Sequence, residues 1–211
     1  MALAEVLSKV LGRPVDTACN LIESLLGEPF RIAGDALADH VRLWQWNNRL
    51  RVLDRAEEIM RERGIPHRTL TPDFLLPFIR ECGDTSTETL QDTWARLLSA
   101  AVEDESNEHI AFVDTLRNMI AADVQVANCL IELGYMDRDD RVPAISERLG
   151  LPPDRVQASI YSLEHLGFFT PTQRRLKGFA VRLLRACVAN SEALDKYLEG
   201  QKAAKRSIVM D

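Results

Sequence analysis

Residues 85–119, TSTETLQDTWARLLSAAVEDESNEHIAFVDTLRNM, decide how the chain reads. Thr85 and Glu88 stand at the spacing of a capping box, in which each side chain answers a free backbone amide at a helix start. Leu90, Trp94, Leu97, Leu98 and Ala101 then recur at helical spacing, so one face is apolar and carries a large ring. The polar run Glu103 to Glu108 ends that helix. A second begins near His109 and lines up Phe112, Leu116, Met119 and Ile120. The stretch predicts a helix–loop–helix, and with it an all-α body.

Upstream, a long helix is expected from Gly34–Asp35 to Arg63, stopped by Gly64 and Pro66. Its apolar residues fall on several tracks, including Leu37, Val41 and Trp44 on one and Leu43, Trp46 and Leu50 on another. Such a wide apolar arc marks a helix contacted from several sides. Arginines 42, 49, 51 and 55 snorkel along its wet edge. Thr71–Pro72–Asp73 is a helix start by capping, by proline at the first position and by an acid at the positive end. The helix it opens, FLLPFIREC, is short and apolar, with Pro77 placed to kink it. Before all of these, residues 1–27 carry a stripe of Leu3, Val6, Leu7, Val10 and Leu11. After Gly12 and Pro14 it resumes through Val15, Ala18, Cys19, Ile22, Leu25 and Leu26. Two short amphipathic helices fit. The polar face mixes Glu5, Ser8, Lys9 and Arg13 rather than being basic, so it packs on protein more readily than on a membrane surface. Leu3, Val6, Leu7, Val10, Trp44 and Trp46 are the candidate contacts for a protein partner or a second copy.

Downstream the scale changes. Helices are expected over 123–133, 142–149 and 155–166, closed by Gly134, Gly150 and Gly167. Phe168 to Thr170 reads as a short strand, and 179–189 as a further helix. Three short helices and an apolar strand outline a winged helix-turn-helix, carried by AISERLGLPPDRVQASIYSLEHLGFF at 144–169. Its candidate nucleic-acid contacts are Arg155 and Gln157 on the third helix and Arg174, Arg175 and Lys177 on the wing. Residues 191–211 read as a polar tail, either a frayed helix or disordered.

The net charge of −6 argues against sequence-blind nucleic-acid binding. DNA contact is therefore the second reading and protein contact the first. Cys19, Cys82, Cys129 and Cys187 form no CxxC pair, which reads as free thiols in a reducing cytoplasm. No apolar run is long enough to span a membrane. The N-terminus lacks the basic region of a signal peptide.

Reaction chemistry is thin. Arg61 and His67 resemble the Arg-then-His signature of helical HEPN ribonucleases, but Gly64 and Pro66 break the helix between them. Glu105 and His109 share a helix face without a second histidine nearby, and Asp137, Asp139 and Asp140 lack a phosphate-binding loop. Both groups read as solvated turns. No catalytic residue, cofactor or metal is assigned.

Taken in order, a Trp-containing helix opened by Gly34–Asp35, NNRLRVLDRAEEIMRERGI, TPDFLLPFIREC, LQDTWARLLSAAV and HIAFVDTLRNM resemble the abortive infection alpha (Abi-alpha) family of bacteria. The most specific piece is Leu90-Gln91-x-x-Trp94-Ala95-x-Leu97-Leu98, with Phe112-Val113-x-x-Leu116 downstream of it. The resemblance covers about residues 28–133. It implies an all-helical cytosolic protein linked to phage defence by altruistic shutdown, and it brings no active site. The expected organisation is a helical body over 1–120, a winged-helix-like unit over 121–190 and a tail over 191–211.

Overall fold

The computed structural model describes residues 40–104, 106, 108–135, 138–169, 176–187 and 190–210. The stripe at 1–27 with Leu3, Val6, Leu7 and Val10, the helix start at Gly34–Asp35, Cys19, Glu105, Asp137, Arg174 and Arg175 lie outside the described residues. Among those described, every extended element is a helix. The chain divides into two compact units, with the boundary between Arg117 and Asn118.

The first unit contains α1 (His40–Arg63), α2 (Pro72–Cys82), α3 (Glu88–Glu103) and α4 (Glu108–Leu116). Side-chain bonds fix the helix directions. Gln91 Nε2 lies 3.4 Å from Asn48 Oδ1, Ser99 Oγ 3.4 Å from the Ala56 carbonyl, and Arg63 2.7 Å from Glu103. Thus α1 and α3 run parallel, and they form the main packing pair. At their far end, Phe74 in the first turn of α2 meets the ring of His109 in the first turn of α4. The return helices α2 and α4 therefore start where α1 and α3 finish. The core between them holds Leu53, Met60, Leu75, Phe78, Leu97 and Trp94, all buried. Phe78 meets Trp94 edge-on at 5.5 Å.

The stretch 85–119 is helix–loop–helix, with two corrections. α3 starts at Glu88, with Thr87 at the N-cap and no side-chain cap bond. Thr85 does not cap; it is buried, and its hydroxyl accepts a bond from Trp94 Nε1 at 3.2 Å. Desolvating an indole N–H demands an acceptor, and that need outweighs the capping preference. α4 also ends at Leu116, short of the expected Met119 and Ile120, and the two helices pack chiefly on others, α3 on α1 and α4 on α2. Pro77 is accommodated inside a continuous α2.

The turn between α2 and α3 is latched to α1. Asn48 Nδ2 donates to the Gly83 carbonyl at 3.0 Å, and Arg49 Nε to the Ile79 carbonyl at 2.7 Å. These bonds satisfy carbonyls left open at the end of α2. Gln91 Nε2 donates to the Thr85 carbonyl at 3.0 Å, and Gln45 Nε2 to Asp84 Oδ1 at 2.7 Å.

The second unit contains α5 (Ala121–Leu133), α6 (Arg138–Leu149), α7 (Pro153–His165), α8 (Gly178–Cys187) and α9 (Ser191–Met210). α5 is its centre, touched by α6, α7 and α9. Asp123 Oδ2 accepts from the Ile120 amide at 3.2 Å and from Ser162 Oγ at 3.0 Å, tying the start of α5 to α7. Gly150, at φ 63°, makes the sharp exit from α6 that allows α7 to begin three residues later.

Three expectations change here. α6 starts at Arg138 rather than 142, so Asp139 and Asp140 lie in a helix and not a turn. Arg141 within that first part is buried, its guanidinium 5.8 Å from the Tyr135 ring, which anchors the charged run as helix. Of the strand expected at 168–170, the described residues show one antiparallel bridge, Phe169 with Leu176. The Phe168 amide donates back to the Leu163 carbonyl at 2.9 Å. The Leu176 amide and carbonyl are met by the side-chain amide of Gln201, at 3.1 and 3.5 Å. The Lys177 amide donates to the Phe168 carbonyl at 2.9 Å, the cross-strand bond beside that bridge. Gln201 belongs to α9, so the segment expected as a frayed helix or disordered tail is a packed helix. It buries Leu194 and Tyr197 and packs on α5.

No described helix is long and apolar enough to cross a membrane. Cys82, Cys129 and Cys187 are buried.

Candidate functional site

The predicted nucleic-acid residues do not form a basic surface among the described residues. Arg155 is exposed in the first turn of α7, and Lys177 is exposed beside the Phe169–Leu176 bridge. Gln157 is half-buried, and its Nε2 is enclosed without a hydrogen-bond partner, so the amide is not offered to a base edge. The open side of α7 presents Asp154, Ala158, Tyr161 and His165 beside Arg155, with Tyr161 56% exposed. An acid and a phenol in that stripe suit a protein surface better than a phosphate backbone.

The two candidate tryptophans of α1 separate. Trp46 is 8% exposed and belongs to the core, where its Nε1 has no partner. Trp44, two residues earlier, is 44% exposed. Helical geometry explains the difference: positions two apart point to opposite sides. Trp46 is thereby removed as a ready contact, and Trp44 stays on the surface.

The Arg61–His67 pairing does not form a shared site. Arg61 is exposed on α1, while His67 Nε2 lies 3.0 Å from Glu57 Oε2. No group of three or more metal-ligating side chains occurs among the described residues.

Two concave surfaces in the first unit are not legible in the sequence. One is an open groove of about 760 Å³ between α1 and the start of α3. Arg55 is its hub, with Nε 2.9 Å from Asp92 Oδ1 and Nη1 3.0 Å from Glu58. Arg96 Nε adds a bond of 2.8 Å to the other Asp92 oxygen. Burial pushes the Asp92 carboxyl up, but the hydrogen bonds from Arg55 and Arg96 outweigh it and hold the group below its ordinary value. The charges on this groove largely satisfy one another.

The other is a cleft of about 340 Å³ where α2 and α4 begin. His109 lines it and is 6% exposed. Its Nδ1 is 2.8 Å from the Ser106 carbonyl. A carbonyl only accepts, so Nδ1 carries the hydrogen and Nε2 is the ring's other polar atom. Phe74 and Phe112 meet the imidazole edge-on at 6.2 and 5.5 Å and fix its plane. Hydroxyls of Thr69, Thr71 and Ser106 and the carboxylate of Asp104 complete the polar lining. By local spacing His109 reads as part of a solvated turn; it is instead buried in the first turn of α4. Its real setting depends on Phe74, brought in from another helix, and no local spacing encodes that.

A family model described as abortive infection alpha matches residues 47–210. That match continues through the second unit, well past the end at residue 133 expected from sequence motifs. Neither a curated protein nor a solved structure matches the chain.

Proposed function

The chain belongs to the abortive infection alpha family, and from that premise we propose that it is a non-enzymatic interaction protein of bacterial antiphage defence, acting in the cytoplasm. Family membership carries the defence assignment. The exposed Trp44 supports action by contact: a large amphipathic ring on the surface is the residue type that anchors protein interfaces. The partner is another protein or a second copy of the chain.

The test is phage challenge of a sensitive bacterial strain with and without the gene. Growth arrest of infected cells before phage release, lost with Trp44→Ala while the purified variant keeps its melting temperature, is the expected result. Equal phage yield with and without the gene would overturn the defence reading. Full protection by Trp44→Ala would remove Trp44 from the interface.

DNA binding by the second unit is the alternative. The α6–Gly150–α7 turn and the Phe169–Leu176 bridge after it support a winged-helix-like arrangement. A salt-dependent shift of duplex DNA, lost on joint Arg174→Ala and Arg175→Ala substitution, would favour it.

A further inference from the structure

We propose that the cleft floored by His109 is a binding site for a small, planar, uncharged or cationic molecule that donates N–H hydrogen bonds, of the free nucleobase or amidine class, with His109 Nε2 as its acceptor. The size fits: about 340 Å³ lies within the range of ligand sites, roughly 300–1,000 Å³. The polarity selects the ligand. His109 offers its acceptor nitrogen in the neutral ring, because Nδ1–H is committed to the Ser106 carbonyl. Asp104 adds a carboxylate, and Thr69, Thr71 and Ser106 add hydroxyl oxygens. Among the described residues, no lining residue is Lys or Arg.

Two helix N-termini meet here, which would ordinarily attract an anion. Both are already answered by the chain. Asp73 lies in the first turn of α2 and Glu108 in the first turn of α4. The Glu108 amide is also capped by Ser106 Oγ at 3.3 Å. A phosphate would meet the Asp104 carboxylate in the lining, with an acid in the first turn of each helix beside it, so the site disfavours it. Phe74 and Ile110 supply apolar walls suited to a flat ring. The bond to Ser106 answers one nitrogen of the imidazole; a ligand in the open space beside the ring would answer the other.

The site is separate from the Trp44 surface, and its test is independent of phage defence. Histidine resonances of the full chain are followed by ¹H–¹³C NMR while cytosine, adenine, benzamidine or inorganic phosphate is added. The expected result is a saturable shift of His109 with at least one of the first three, and none with phosphate. His109→Phe keeps an aromatic ring between Phe74 and Phe112 but removes the acceptor. It should weaken calorimetric binding by about tenfold, the loss of one good hydrogen bond. Thr69→Trp fills the cleft from an exposed position. It should abolish binding without touching the imidazole, and it decides the matter if His109→Phe fails to fold. No saturable shift with any probe at millimolar concentration would overturn the site. So would a response to phosphate alone, or binding that survives Thr69→Trp.

Discussion

The indole nitrogen of Trp94 donates to the hydroxyl of Thr85, nine residues earlier and outside its own helix, at 3.2 Å. Both partners are buried. The bond holds the turn before α3 against the middle of that helix, and the Gln91 side chain binds the Thr85 carbonyl from the same side. Thr85→Val keeps the shape and strands the indole N–H, so it should cost about 1–3 kcal/mol in urea unfolding. Trp94→Ala should cost about 3–5 kcal/mol. The double variant should lose less than the sum, because the bond is counted twice. A Thr85→Val chain as stable as the wild type would show that the indole finds another acceptor.

Cys82 should be chemically silent in the native chain. It is fully enclosed at the end of α2, and burial pushes its thiol up to about 12. The reactive thiolate is then scarce at neutral pH. Labelling with a disulfide reagent at pH 8 should proceed for Cys82 only as fast as the first unit opens, and should accelerate sharply in denaturant. Rapid labelling without denaturant would contradict the packing of α2.

Gly200→Ala should destabilise the second unit although alanine is the better helix former. A Cβ at position 200 would stand 2.9 Å from the Cβ of Tyr135. Tyr135 cannot easily retreat, since its ring packs on Tyr197 at 6.0 Å and underlies Arg141. Overpacking costs about 1–3 kcal/mol, against a propensity gain of about 1 kcal/mol. Thermal unfolding should therefore fall or at best hold level; a clear rise in melting temperature would mean that Tyr135 has room to move.

The Asp92 cluster makes stability depend on acid pH. Its folded carboxyl lies below the ordinary value, so the unfolded chain takes up the proton first as pH falls. The stabilisation is fully present above the unfolded value of about 4 and is lost on going lower. Asp92→Asn should reduce stability near neutrality and flatten the loss between about pH 5 and pH 3. Partial exposure and salt will keep the effect modest. An unchanged acid slope would show that Arg55 and Arg96 hold Asp92 no better than water does.

Local periodicity carries the part of the fold that is legible in the sequence. Leu97, Leu98, Phe112 and Val113 are buried as their spacing demands, and Gly64, Gly134, Gly150 and Gly167 all have positive φ at or just after helix ends. The rest depends on residues distant in the chain. Thr85 looks like a cap until Trp94 is folded back onto it. Residues 138–141 look like a turn until Tyr135 takes Arg141. Phe168 and Phe169 look like a strand, but their partner, Leu176, comes from seven residues on and is held in turn by Gln201 of α9. The His109 cleft is hidden for the same reason: its wall and its floor come from different helices.

Helix α9 has a practical consequence for handling the protein. Its polar composition invites an expression boundary near Asn190, with residues 191–211 discarded. That cut would remove Leu194 and Tyr197 from against α5 and Gln201 from Leu176, uncovering an oily surface that had been closed. Such a shortened chain should aggregate on purification, and affinity tags belong beyond Met210, joined by a spacer rather than substituted for the helix.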